Sequence, residues 1–126
     1  MVGWIQTPDE CWEKAFTGID DKHRSILTNS LGNLLPLSMS INSSLQNSCF
    51  KDKKKELRNS MGEKIREGYN NGSHSEIEVS SSYKEWTPET IKLRGLKLLT
   101  FMEVRWSFEF ENEVKKNELL FLHDLP

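Results

Sequence analysis

Trp86-Thr87-Pro88-Glu89, followed by Ile91, Leu96, Leu98, Leu99, Met102 and Trp106, is the stretch that decides the fold. A threonine able to cap, a proline at the first helical position and an acid in the first turn mark a helix start, and the apolar residues that follow recur at helical spacing. It is the longest such pattern in the chain, so it predicts the main wall of the core. Trp86, Phe101, Trp106 and Phe108 belong to this wall by their spacing beside leucines, which favours packing over stacking on bases.

Upstream, Thr7-Pro8-Asp9-Glu10 repeats the same start signal and predicts a short helix that carries Trp12 and Phe16 on one buried face and stops near Gly18. A second start at Asp20-Asp21 leads through His23, Ile26 and Leu27 to a break at Asn29-Ser30 and Gly32. Leu31 to Ser38 is apolar but too short for a helix, and its glycine and proline predict a small hairpin. From Phe50 to Glu67, Leu57, Met61 and Ile65 recur every four residues and predict a basic amphipathic helix. Gly68 to Ser82 is expected to be a loop with a short strand at Ile77 and Val79. Trp106-Phe108-Phe110 and Glu118 to Leu122 are expected to pair as a late hairpin.

A chain of 126 residues with 36% hydrophobic content and net charge -2 suits one small domain. The expected fold class is α+β, helix-dominated, over residues 1–126. No apolar run reaches membrane-spanning length and the N-terminus lacks a signal-peptide pattern, so a soluble, cytoplasmic protein without membrane contact is expected. Cys11 and Cys49 have no CxxC neighbour, which argues against a zinc knuckle or redox motif and predicts buried free thiols. Charge is uneven. Residues 51–66 hold seven basic side chains, Lys51, Lys53, Lys54, Lys55, Arg58, Lys64 and Arg66, against Asp52, Glu56 and Glu63, whereas the tail from Glu103 onward is acidic. Such a localised patch is either a solvated helix face or a polyanion surface.

The most specific pattern is Ser30-Leu31-Gly32-Asn33-Leu34-Leu35-Pro36-Leu37, then Ile41-Asn42-Ser43-Ser44-Leu45-Gln46-Asn47, then Phe50 and Lys53-Lys54. Together with the helix from Trp86 to Trp106, it resembles the C-terminal HNH nuclease domain of GmrSD-type restriction endonucleases from about Gln6 to Trp106. The resemblance implies a partial ββα-metal finger with a short hairpin and flanking helices. It further implies a divalent cation, Mg2+ or Mn2+, held against a DNA phosphodiester, and a histidine that activates water. In that scheme Asn33 braces the loop between the strands and Asn42, nine residues on, is a metal ligand whose amide oxygen suits a hard cation.

The family places an acid–histidine pair just before the Gln6-Thr7-Pro8 turn, and Met1 and Val2 stand at those positions here. The expectation is therefore a nuclease-lineage domain from the C-terminal part of a longer protein, without its general base and inactive as given; the alternative is a non-catalytic module that binds DNA or protein. His23, His74 and His123, the only histidines, fall in a charged helix, a serine-rich loop and the acidic tail, and are expected to be solvated. DNA is the expected partner, through phosphate contacts from Lys51, Lys53, Lys54, Lys55 and Arg58. Sequence recognition and nucleotide-driven steps are expected in an N-terminal region or partner subunit, and a missing first strand would leave a sheet edge that invites homodimerisation.

Overall fold

The computed structural model describes residues 9–36, 45 and 48–125. Among them the chain forms six helices and one two-stranded sheet: α1 (Glu10–Ala15), α2 (Asp21–Asn29), a 3-10 turn (Leu31–Asn33), α3 (Phe50–Lys54), β1 (Leu57–Arg58), β2 (Lys64–Arg66), a second 3-10 turn (Tyr69–Asn71), α4 (His74–Ser82), α5 (Pro88–Trp106) and α6 (Glu113–Leu119). The fold is α+β and helix-dominated.

Helix α5 starts where the capping pattern places it. The Thr87 hydroxyl accepts from the Thr90 amide at 3.3 Å, and Pro88 occupies the first turn, where a missing N–H costs nothing. Ser107, in the left-handed region at φ 53°, ends the helix. Its buried face holds Ile91, Arg94, Gly95 and Leu99. The 3-10 turn at Leu31–Asn33 lies directly on this face. A Cβ on Gly32 would come to 1.8 Å from the Ile91 carbonyl oxygen, so only glycine allows the two backbones to meet. Arg94 secures the joint by donating from Nη1 to the carbonyls of Gly32 at 2.9 Å and Leu34 at 2.6 Å.

The core gathers Trp12, Phe16, Leu27, Leu45, Phe50, Tyr69, Val79, Trp86, Ile91, Leu99, Leu120 and Leu122. Trp86 is its aromatic hub, with Phe50 at 5.2 Å and Tyr83 edge-on at 5.3 Å between ring centroids. Trp12 and Phe16 are buried together on α1, as their spacing predicts.

Six expectations are corrected. Phe101, Trp106 and Phe108, expected to pack in the wall of the core, are 60%, 61% and 44% exposed, because helix α5 buries no residue beyond Leu99. The apolar run at Leu31 forms a 3-10 turn and not a hairpin through its described part, 31–36, because the Asn33 and Leu34 amides bond back to Ser30 and Leu31; Leu37 and Ser38 lie outside the described residues. The expected long basic helix is only the five-residue α3, followed by the β1–β2 hairpin. Here the Asn59 side-chain oxygen accepts from the Met61 and Glu63 amides, both at 2.9 Å, and Gly62 sits at φ 81°, so local turn chemistry wins over a spacing that nothing buries. Met61 is 81% exposed.

The presumed loop with a strand at Ile77 is helix α4, started by a capping box in which the Ser73 side chain and Glu76 satisfy each other's backbone amides. The late hairpin is absent among the described residues; Glu113–Leu119 is helical, and Phe108 and Phe110 pack edge-to-face on each other at 5.0 Å.

Cys11 and Cys49 are not free thiols but a disulfide, with Cα atoms 5.9 Å apart. Their separation of 38 residues carries no local signal; they meet because Trp12 and Phe50, their neighbours, enter the same core. Closing a loop of that length restricts the unfolded chain by about 4 kcal/mol on the chain-entropy model.

Candidate functional site

Asn33 is 1% exposed and sits where α2, the 3-10 turn and the start of α5 converge. Its Nδ2 donates to the Thr28 carbonyl at 2.9 Å, and its Oδ1 accepts from the Trp86 indole N–H at 2.9 Å. Both ends of the amide are thus committed to holding neighbouring segments in place. Through Trp86 this brace connects to Phe50 and to the wall of an open groove.

That groove, of about 690 Å3, runs between the start of α1, the start of α3 and the segment leading into α5. Trp12, Phe50, Trp86 and the Cys11–Cys49 disulfide form its floor and sides, and Lys14, Lys51 and Lys84 line it against a single acid, Glu85. An apolar floor with a cationic rim can hold a polyanion backbone at its edge by Coulomb attraction, without base contacts.

Asn42 lies outside the described residues, so its place relative to Asn33 is not part of this geometry. The five basic residues of the expected DNA surface divide into two sets. Lys51, Lys55 and Arg58 are exposed, with Arg58 held by Glu56 at 2.7 Å and by the Gly62 carbonyl at 2.7 Å. Lys53 is 3% exposed, its ammonium 5.6 Å from the Trp12 ring centroid, and burial pulls its pKa down to about 8. Lys54 turns inward, donating to the Tyr83 carbonyl and lying 4.8 Å from the Phe50 ring centroid; burial lowers its pKa too.

The three histidines are not brought together. His23 Nδ1 is 2.6 Å from Asp20 Oδ2 at the N-terminus of α2, and the His23 amide bond to Asp20 is the largest cause holding that carboxyl below its usual range. His74 opens α4 and is exposed, and His123 pairs with Asp124 near the C-terminus at 3.1 Å. None lines the groove.

Among the described residues, the one cluster of three candidate metal ligands is Asp9, Cys11 and Cys49, whose ligand atoms lie within 4.8 Å of one another. Two of the three are sulfurs already bonded to each other, so this cluster does not fit Mg2+ or Mn2+, which require hard oxygen ligands. No described helix is long and apolar enough to cross a membrane.

Lys14 and Lys84 are groove residues that the linear charge pattern misses. They come from α1 and from the turn before α5, outside the basic run, and only folding puts them beside Lys51.

A family model described as GmrSD restriction endonucleases, C-terminal domain, matches residues 6–101. No curated protein and no solved structure matches the chain.

Proposed function

The chain belongs to the family of GmrSD restriction endonuclease C-terminal domains, and on that premise we propose that it is an HNH-lineage DNA-binding nuclease domain that does not cut DNA by itself. The observation that carries this reading is the extent of the match. It covers Asn33, Asn42 and the basic run from Lys51 to Arg58 in one continuous span. The family places the chain in a restriction-nuclease role with DNA as the substrate class.

In this reading duplex phosphates approach the groove edge at Lys14, Lys51 and Lys84 and the outer positions Lys55 and Arg58, while Lys53 and Lys54 support that surface from within. Such contacts fix position and carry no sequence information. Asn33 is the brace: its bond to Trp86 ties the turn before Asn42 to the groove wall. Asn42 would offer an amide oxygen to Mg2+ or Mn2+, which would offset charge developing on the phosphate. Target recognition and nucleotide-dependent steps reside in another region or subunit.

A second reading, a domain that only binds DNA or a protein partner, is favoured by the open groove with its apolar floor and the rim of Lys14, Lys51 and Lys84. One experiment separates the two. Supercoiled plasmid is incubated with Mg2+ or Mn2+ and one of three proteins: the chain itself, a version carrying Met1→Glu and Val2→His behind an added start methionine, and that version with Asn42→Ala. Cleavage by the second protein alone supports the nuclease lineage. DNA binding without cleavage by any of them favours the binding module, and metal-dependent cutting by the unaltered chain overturns the proposal.

A further inference from the structure

We propose that Asp9, Cys11 and Cys49 form a thiol-gated zinc site: a disulfide when oxidised, and a two-thiolate, one-carboxylate site for Zn2+ when reduced. The cluster is separate from the asparagines of the nuclease reading and does not rest on that reading.

Three features support it. The ligand atoms of all three residues already lie within 4.8 Å of one another. Tetrahedral Zn2+ with Zn–S bonds of about 2.3 Å places its two sulfurs about 3.8 Å apart, which side-chain rotation on Cα atoms 5.9 Å apart supplies without moving either helix. Asp9 stands at the N-cap of α1, where a carboxylate ordinarily accepts a backbone hydrogen bond, yet its side chain makes no cap bond. It is therefore available as an oxygen ligand beside the two sulfurs.

The chemistry of the donors selects the metal. Two thiolates favour Zn2+ over Mg2+ or Mn2+, and three protein ligands leave a fourth position for water on the groove side, which both cysteines line. Lys14 and Lys51 line the same groove, and positive charge near a thiol favours its thiolate.

The switch balances. A reductant of the dithiol or phosphine class supplies an electron pair that breaks the S–S bond, and two protons from solvent complete the thiols. Zn2+ then displaces those two protons as the two Zn–S bonds form. Exchange with a small-molecule disulfide removes the electron pair, re-forms the Cys11–Cys49 bond and releases the ion. Oxidised or metal-bound, the link between α1 and α3 persists, so the segment between them, which contains Asn33 and Asn42, stays tethered at both ends.

The test uses Co2+ as a spectroscopic stand-in for Zn2+, added to the whole chain after phosphine reduction and, in parallel, to the oxidised chain. The reduced chain is expected to bind one Co2+ with a thiolate-to-metal charge-transfer band that Zn2+ abolishes, and the oxidised chain to show none. Asp9→Asn, which leaves the disulfide intact, is expected to keep the band but bind at least about tenfold more weakly, and Cys49→Ser to lose the band. Absence of the band in the reduced chain, or equal binding by Asp9→Asn, overturns the proposal; metal held nonspecifically by thiols of an unfolded chain gives the second result. A hard-oxygen site produces no thiolate band, so failure here leaves the plasmid-cleavage test untouched.

Discussion

Asn33 shows how a residue quoted for chemistry is first a structural brace. Replacing it with alanine leaves the Trp86 indole N–H and the Thr28 carbonyl without this partner in a buried setting, at about 1–3 kcal/mol for each group. We expect Asn33→Ala to lower stability by about 3 kcal/mol in urea unfolding followed by tryptophan fluorescence. Asn33→Asp should be worse, because it sets an oxygen against the Thr28 carbonyl and buries a charge, even though it keeps an acceptor for Trp86. Equal stability of wild type and both variants would remove the bracing role.

Lys53 gives the pH prediction. Its pKa, lowered by burial from 10.5 to about 8, means that between those values the unfolded chain holds a proton the folded chain has lost. Stability from this residue therefore rises with pH across that window and is smallest below pH 8. From pH 7 to 9.5 the wild type should gain up to about 2 kcal/mol relative to Lys53→Met, read from urea midpoints. A parallel pH dependence in the two proteins would show that Lys53 does not titrate there.

The elements show why period alone misleads. Leu57, Met61 and Ile65 have helical spacing, but no face covers them, and the Asn59–Gly62 turn folds them into a hairpin. Helix α4 begins at Ser73-His74-Ser75-Glu76, a capping-box spacing that a reading based on the alternation of Ile77 and Val79 leaves out. Contact between elements is sharpest at Gly32, which presses the first 3-10 turn onto α5. Gly32→Ala drives a Cβ into backbone, 1.8 Å from the Ile91 oxygen and 2.9 Å from the Gly95 nitrogen, and we expect a loss of more than about 3 kcal/mol or no folded protein. Gly62→Ala is the matched control: its Cβ meets open space, and the φ of 81° alone should cost about 1 kcal/mol. Similar urea midpoints for the two variants would refute the close approach.

For the whole molecule, the groove draws its cations from three separate segments, so its electrostatics are a property of the fold. Neutralising Lys14, Lys51 and Lys84 together should weaken DNA binding across unrelated sequences and reduce the slope of log affinity against log salt by up to about 3, each phosphate contact accounting for about 0.9. Electrophoretic shifts over a salt series measure this. An unchanged slope would move the DNA surface elsewhere.

The sequence by itself determined the local features. The caps at Thr87 and Asp20, the buried pair Trp12 and Phe16, and the helix from Pro88 to Trp106 with its buried Ile91 and Leu99 all rest on residues a few positions apart, where backbone hydrogen bonding and side-chain periodicity act directly; that Phe101 and Trp106 stay exposed does not. Tertiary structure alone decided the pairing of Cys11 with Cys49, the inward turn of Lys53 and Lys54, the bond between Asn33 and Trp86, and the meeting of Lys14, Lys51 and Lys84. These join residues from 29 to 70 positions apart, and burial of the aromatic core, which no local pattern encodes, sets which of them meet.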